Sequence, residues 1–325
     1  MKNSSKLPTL MTALALMLGV IATDNLHAQI YVTNAPGGAG AGSITKYDIN
    51  GGGSSSFGTA LTLPYDLALD ASGNLYVAAN GDNKVFKYNS SGASLGPSSG
   101  AWINSPGAAP FGIATSGSNL YIGVSNINEV DQYSAVTANT FNSVWLNNNH
   151  GGGTSGTVGY PDGLAIDTAG NVYVANYTLG TIGKWTPGSS TYNGSFITGI
   201  GTSNVGGITL DATGNIYVSF LNGSIHKYDS SGLNGSVFAT GMNHPYQLAT
   251  DGTYLYSANS GSNSVGRYLL SNGSIGTNTF ITGLSNPIGI AVVMPVPEPS
   301  SVALVCIGGV AFASWRARKG MRKAA

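Results

Sequence analysis

The stretch Pro161-Asp-Gly-Leu-Ala-Ile-Asp167-Thr-Ala-Gly-Asn171-Val-Tyr-Val-Ala175 decides the fold. It reads as a short apolar strand, a polar turn built on Asp, Gly and Asn, and a second strand of β-branched and aromatic residues. Five further segments repeat its opening: Pro64-Tyr-Asp-Leu-Ala-Leu-Asp70, Pro110-Phe-Gly-Ile-Ala-Thr-Ser116, Val205-Gly-Gly-Ile-Thr-Leu-Asp211, Pro245-Tyr-Gln-Leu-Ala-Thr-Asp251 and Pro287-Ile-Gly-Ile-Ala-Val-Val293. Successive copies start 46, 51, 44, 40 and 42 residues apart. Repeats of that length, made of strands and tight turns, mark the blades of a radial all-β architecture.

Each of the first five copies continues into a second strand, such as Asn74-Leu-Tyr-Val-Ala78 or Asn215-Ile-Tyr-Val218. A third strand ends in an aromatic residue: Tyr88, Tyr133, Trp185, Tyr228 or Tyr268. A fourth short run follows, as at Ser195-Phe-Ile-Thr198, Ser236-Val-Phe-Ala239 and Thr279-Phe-Ile-Thr282. The sixth copy stops at Val293, and its missing strands stand at the other end of the chain: Ile30-Tyr-Val-Thr33, Ser43-Ile-Thr-Lys-Tyr47 and Ser55 to Thr62. The expectation is a six-bladed β-propeller of four-stranded blades over residues 29–294, its last blade closed by both chain ends so that no sheet edge is left open. Composition agrees. Of 325 residues 48 are Gly and only 8% are charged, which disfavours helices, and 42% apolar content without a G-X-Y period excludes disorder and collagen.

The formal net charge of zero is a sum over unlike segments. Residues Met1–Ala28 carry Lys2 and Lys6, an apolar run from Leu10 to Ala22, and Leu26-His27-Ala28, the anatomy of an export signal cut after Ala28. At the other end Pro297-Glu298-Pro299 precedes an apolar stretch over 301–315 and a cluster of Arg316, Arg318, Lys319, Arg322 and Lys323. That stretch is shorter than the roughly 20 residues of a full membrane span, and the cations behind it mark a cytoplasmic end. Residues 295–325 closely resemble the PEP-CTERM sorting signal of Gram-negative bacteria. The resemblance implies transient inner-membrane anchoring through 301–315, recognition of Pro297, Glu298 and Pro299 by an exosortase, and delivery to the cell surface or extracellular matrix. Between the two ends, residues 29–294 hold six basic and eleven acidic residues, a net charge of −5. Such a body is a poor partner for nucleic acid, whose phosphates need clustered cations. Cys306, the single cysteine, falls in the tail, so the domain must be held by packing without disulfides.

The repeat Pro-x-Gly-Ile-Ala-x-Asp…Gly-Asn-x-Tyr-Val also resembles propellers of the NHL and gluconolactonase type. In the latter, the Asp of the Pro161-Asp162-Gly copy is a metal ligand and general base, so the resemblance implies Asp162 as a ligand for Ca or another divalent cation in a lactone hydrolase or lyase. That family also requires an Asn one blade earlier and a Glu from another blade. Here Phe111 stands in the Asn slot, and Glu129, the only Glu of the domain, falls before a third strand. The ligand set is incomplete, and no cofactor is expected.

Other patterns have plainer readings. Asp70, Asp167, Asp211 and Asp251 precede Gly or Gly-Asn and fit Asx-type turns better than calcium loops, which need more carboxylates. Lys46, Lys87, Lys184, Lys227 and Arg267, with Gln132 in the remaining blade, recur before the third-strand aromatics and fit long stems laid over a sheet. Gly92-Ala-Ser-Leu-Gly96, His150-Gly-Gly-Gly153 and Gly38-Ala-Gly-Ala-Gly42 lack the strand-to-helix context that nucleophile, oxyanion or phosphate loops need. His150, His226 and His244 have no metal-ligand spacing. The first strand of each blade lines the central channel, and its mouth should gather Tyr65, Phe111 and Tyr246 with Asp66, Asp162 and Gln247. Flat aromatic faces beside carboxylate and amide groups suit a hydroxyl-rich ligand such as a sugar ring. The expected role is a non-catalytic surface module binding exopolysaccharide or a matrix protein.

Overall fold

The computed structural model of the chain describes residues 28–294, apart from 37–40, 98–99, 105, 107–108, 147–156, 188–191 and 201–204. The export signal, the sorting tail with its 301–315 stretch, and His150-Gly-Gly-Gly153 lie outside the described residues, as do Gly38 to Gly40. Among the described residues no helix is long and apolar enough to cross a membrane.

Residues Ala28–Val293 form one compact unit. Its first strands are β1 (Gln29–Asn34), β2 (Ala41–Asp48) and β3 (Ser55–Thr62). Blade 1 follows as β4 (Pro64–Leu69), β5 (Leu75–Ala79), β6 (Lys84–Tyr88) and β7 (Ala101–Asn104). Blade 2 is β8 (Pro110–Ser116), β9 (Asn119–Val124), β10 (Glu129–Ser134) and β11 (Phe141–Leu146). Blade 3 is β12 (Pro161–Ile166), β13 (Val172–Asn176), β14 (Thr181–Trp185) and β15 (Tyr192–Ile197). Blade 4 is β16 (Val205–Leu210), β17 (Ile216–Phe220), β18 (Ser224–Tyr228) and β19 (Ser236–Thr240). Blade 5 is β20 (Pro245–Thr250), β21 (Tyr254–Asn259), β22 (Ser264–Leu269) and β23 (Asn272–Ile281). The last strand, β24 (Pro287–Val293), joins β1, β2 and β3 in the order β24-β1-β2-β3 and completes blade 6. The chain is thus all-β, a ring of six four-stranded antiparallel blades closed by both chain ends.

The closure is specific. β1 and β24 pair from Gln29↔Val293 to Asn34↔Pro287. Around them Asn34 Oδ1 accepts the Ser285 N–H at 3.0 Å, Asn286 Nδ2 donates to Ala35 O at 2.6 Å, and Thr33 Oγ1 accepts the Gly289 N–H at 2.7 Å. Apolar burial is concentrated where blades meet. Among the described residues six hydrophobic clusters occur, one at each junction, and each is built from both neighbouring blades. The junction between blades 3 and 4, for example, packs Tyr173, Ile182 and Ile197 against Val205, Ile208, Val218 and Tyr228. No blade can bury its faces alone.

The repeated polar residues build this frame. Asp70 Oδ1 accepts the N–H groups of Ser72 and Asn74, both at 2.9 Å, and the same arrangement recurs at Asp167 and Asp211, and at Asp251 with Thr253 and Tyr254. Their second oxygen accepts the hydroxyl of Tyr76, Tyr173, Tyr217 or Tyr256 on the following strand. Partial burial opposes the charge of Asp70, Asp167 and Asp211. Hydrogen bonds, led by the Asn74 and Asn171 side chains and by Thr213 with Asn215, outweigh it and hold all three below the usual carboxylate range.

On the third strand the recurrent cation lies directly across from that tyrosine: Tyr31↔Lys46, Tyr76↔Lys87, Tyr173↔Lys184, Tyr217↔Lys227 and Tyr256↔Arg267. In blade 2 the pair is Tyr121↔Gln132, and Gln132 Nε2 donates to the Tyr121 hydroxyl at 3.1 Å. Lys87 Nζ lies 4.8 Å from the Tyr76 ring centre and 4.3 Å from that of Trp102. Lys184 covers Tyr173 and Phe196, Lys227 covers Tyr217, and Arg267 covers Tyr254 and Phe280. These long side chains are stems over aromatic faces, adding cation–π attraction to the packing.

One element runs longer than its sequence signal. The spacing predicts a fourth strand in blade 5 near Thr279–Thr282, whereas β23 begins at Asn272, because the pair Leu269↔Asn272 closes a two-residue hairpin and pairing starts at once.

The inner strands β4, β8, β12, β16, β20 and β24 each lie against the next around the ring. Their closeness explains a recurrent glycine. A Cβ on Gly289 would come within 2.3 Å of Tyr65 O and 3.0 Å of the Asp66 Cα, and one on Gly207 within 2.6 Å of the Gln247 Cα. Gly289→Ala is therefore expected to lower stability by about 1–3 kcal/mol through overpacking. Gly52→Ala, where a Cβ meets nothing within 4 Å, is expected to be neutral or to stabilise by roughly 0.4–1 kcal/mol. Denaturant titration of both variants checks the contrast.

Candidate functional site

Each inner strand starts at one mouth of the central channel. The residue before the proline turns a corner in the left-handed region at Leu63 (φ 43°), Tyr160 (53°), His244 (49°) and Asn286 (49°). This is unusual before proline, which favours extended backbone, and it must be held from outside. In blade 3 the hold comes from Asn128 of blade 2, whose Oδ1 accepts the Tyr160 N–H at 2.7 Å, and from Tyr160 O, which accepts the Tyr177 N–H at 3.1 Å. The corner sets the Tyr160 ring against Phe111.

A chain of rings results. Tyr65 and Phe111 have centroids 4.4 Å apart, Phe111 and Tyr160 5.0 Å, and Tyr160 and Tyr177 5.5 Å. Tyr246 stands within electrostatic reach of the Asp162 carboxyl and of the Tyr65 and Tyr160 phenols. Asp162 itself is 4% exposed. No hydrogen-bond donor among the described residues reaches its carboxylate. Burial, and secondly the charge of Asp66, push the Asp162 carboxyl well above its ordinary range. Burial, then Asp162, push up the hydroxyls of Tyr65, Tyr160 and Tyr246, that of Tyr160 to about 12.

One layer deeper lie Asp66 and Gln247, in the slot that holds glycine in the other four blades. Asp66 Oδ1 accepts the Leu67 N–H at 2.8 Å, and its Oδ2 accepts the Ile113 N–H of blade 2 at 3.0 Å. Burial raises this carboxyl to about 7, and the two amides offset only part of that effect. Gln247 spans from blade 5 to blade 3, with Nε2 donating to Asp162 O at 2.9 Å. These two side chains cap free strand edges and form one end of a cavity of about 300 Å³ that opens on the opposite face, lined by residues such as Ala68, Ala114, Ala165 and Ala291.

Of the residues singled out in the sequence, the structure brings Tyr65, Phe111, Asp162 and Tyr246 together at the mouth and places Asp66 and Gln247 beneath it. Tyr160 and Tyr177 also belong to the mouth. The signals that point to them are the position of Tyr160 just before Pro161 and that of Tyr177 just past the second strand. Glu129, expected before the third strand, is instead the first residue of β10, because its backbone already pairs with Val124 of β9. Among the described residues no three His, Cys, Asp or Glu side chains are gathered to hold a metal. Asp162 beside aromatic rings does not fit the three-ligand divalent centre that the gluconolactonase resemblance implies. Ser94 of the Gly-x-Ser-x-Gly stretch lies in the loop after β6, with its Oγ donating to Gly100 O at 2.9 Å. His226 packs on Phe220, ring centres 4.8 Å apart, and burial lowers its pKa.

The Asp162 carboxyl gives a pH test. Its ordinary value is 3.8, and the folded chain binds its proton more tightly than the unfolded one. The stability this group contributes is thus present in acid and is lost as pH rises from about 4 through the raised folded value. Asp162→Asn removes that titration. The variant is expected to melt above the native protein near pH 8, by roughly 2–4 °C per kcal/mol relieved, and to match it near pH 4. Equal melting at both pH values would contradict the assignment.

Comparison with known proteins bears on the tail and on the fold. The family model for the PEP-CTERM protein-sorting motif matches residues 295–319, which implies export, membrane-associated sorting and processing by an exosortase. No curated protein matches the chain. A propeller in the crystal structure of a nidogen/laminin complex is similar over 82% of this chain and 99% of that one, with TM-score 0.69 and 15% identity. Virginiamycin B lyase from Staphylococcus aureus is similar at 16% identity and TM-score 0.52, covering 75% of this chain and 82% of the lyase. A catalytically inactive variant of that lyase, solved with quinupristin, gives TM-score 0.54, also at 16% identity, over 84% and 94% of the two chains. At such identities the likeness concerns the fold alone. The chain is a six-bladed β-propeller with a PEP-CTERM sorting motif directly behind its ring-closing strand.

Proposed function

We propose that the exported propeller is a non-catalytic binding module of the cell surface or extracellular matrix, and that its aromatic mouth holds a saccharide chain of the matrix. The observation that carries this reading is the run of Tyr65, Phe111, Tyr160 and Tyr177 rings, 4.4 to 5.5 Å apart, beside the buried Asp162. Sugar rings present apolar C–H faces and hydroxyl edges, so aromatic rings with a carboxyl and phenol hydroxyls among them match both surfaces. The sorting motif supports the setting, since it implies export and membrane-associated sorting by an exosortase. Lactone hydrolysis or elimination by a divalent metal would need two further ligands beside Asp162, and the mouth offers rings in their place.

The test is co-sedimentation of the full-length chain, in detergent, with exopolysaccharide from its own host. The native protein is expected to bind, and the Tyr65→Ala/Tyr246→Ala variant to bind about tenfold or more weakly, given roughly 0.5–1.5 kcal/mol for each aromatic contact beyond buried area. Failure of the native protein to bind its host's matrix polysaccharide would overturn the proposal.

A further inference from the structure

The geometry points to an organic ammonium group as what the mouth selects: a cation seated on the faces of Tyr65, Phe111 and Tyr160, with its charge against Asp162. This inference rests on the mouth being a binding site and narrows its ligand from any sugar to an amine-bearing one. The first support is Asp162. The residue is only 4% exposed, yet no donor among the described residues bonds to its carboxylate. Its neighbour Asp66 has both oxygens occupied by backbone amides. A carboxylate with so little solvent around it and no protein donor favours a cation arriving from outside.

The second support is the wall. Aromatic faces carry negative potential, and a run of rings beside a carboxylate favours a cation over a neutral group of the same shape. The third is how the domain uses its own cations. Lys87, Lys184, Lys227 and Arg267 lie over rings on the third strands, and Lys46 stands opposite Tyr31 in the same register. The sixth, Lys84, pairs with Asn104 on the outer side of blade 1. None of them is placed at the mouth. In four blades a cation lies over an aromatic face; the mouth pairs the same kind of face with a carboxylate.

The experiment uses choline, which keeps its charge at any pH, and 3,3-dimethylbutanol, its uncharged isostere. Both are titrated calorimetrically into the full-length chain in detergent near pH 8. Choline is expected to bind roughly tenfold or more tightly than the isostere. Asp162→Asn is expected to abolish that preference without lowering the melting temperature, which separates loss of charge from loss of fold. Equal binding of the two probes, no binding of choline, or a preference that survives in Asp162→Asn would overturn the inference. The two readings can fail separately. If matrix polysaccharide binds and choline neither binds nor displaces it, the cation inference falls and the saccharide reading stands. If choline binds with the stated preference and the polysaccharide does not bind, the reverse holds.

Discussion

The pairing of β1 with β24 is the constraint on which everything else depends. It joins residues more than 250 positions apart, from Gln29↔Val293 to Asn34↔Pro287. Closing a loop of that length costs on the order of 5 kcal/mol in chain entropy, because the cost grows only with the logarithm of length. Closure offsets that cost by completing blade 6 and with it two of the six apolar junctions, where Tyr31, Ile44 and Phe57 meet blade 1 and Ile30, Val32 and Tyr47 meet blade 5. The domain needs no disulfide because its two ends share one sheet. The mouth inherits this rigidity, since its residues sit at the starts of inner strands that are spaced by contact with their neighbours.

The charge pattern follows from the same frame. In four blades a turn aspartate, a buried tyrosine and a third-strand cation line up across adjacent strands, and Lys87 adds an ion pair with Asp70 at 3.5 Å. These aligned groups tie adjacent strands together within their blades. They also use up the domain's few cations. Asp66 and Asp162 on the channel axis receive none, and burial keeps both carboxyls raised. In this acidic body the Asp162 carboxylate on the channel axis is left to groups from outside the chain.

Much of this was legible in the residues themselves. The copies of the Pro161–Asp167 pattern mark the inner strands, because a β-strand that must pass close to its neighbours and then turn leaves a fixed spacing of Gly, small apolar residues and Asp. The truncated sixth copy foretells the shared blade. Depth was harder to read. Asp66 and Gln247 follow mouth residues by one position, and strand alternation alone does not say that they lie a layer lower; their glycine-slot register does, because that slot faces the next blade's backbone. Tyr160 and Tyr177 escape a strand-based reading since both lie outside strands, and the left-handed corner that aims Tyr160 is set by Asn128 of another blade. Interactions between repeats are invisible to a comparison made within them.

Native-state hydrogen exchange on the full-length chain tests the central claim most directly. If closure by the chain ends holds the ring as one cooperative unit, the hydrogen-bonded amides of β1 and β24 exchange only through global unfolding, as slowly as those in the middle strands β9, β13 and β17. Exchange of β1 and β24 by a separate local opening, orders of magnitude faster than the other blades, would contradict it.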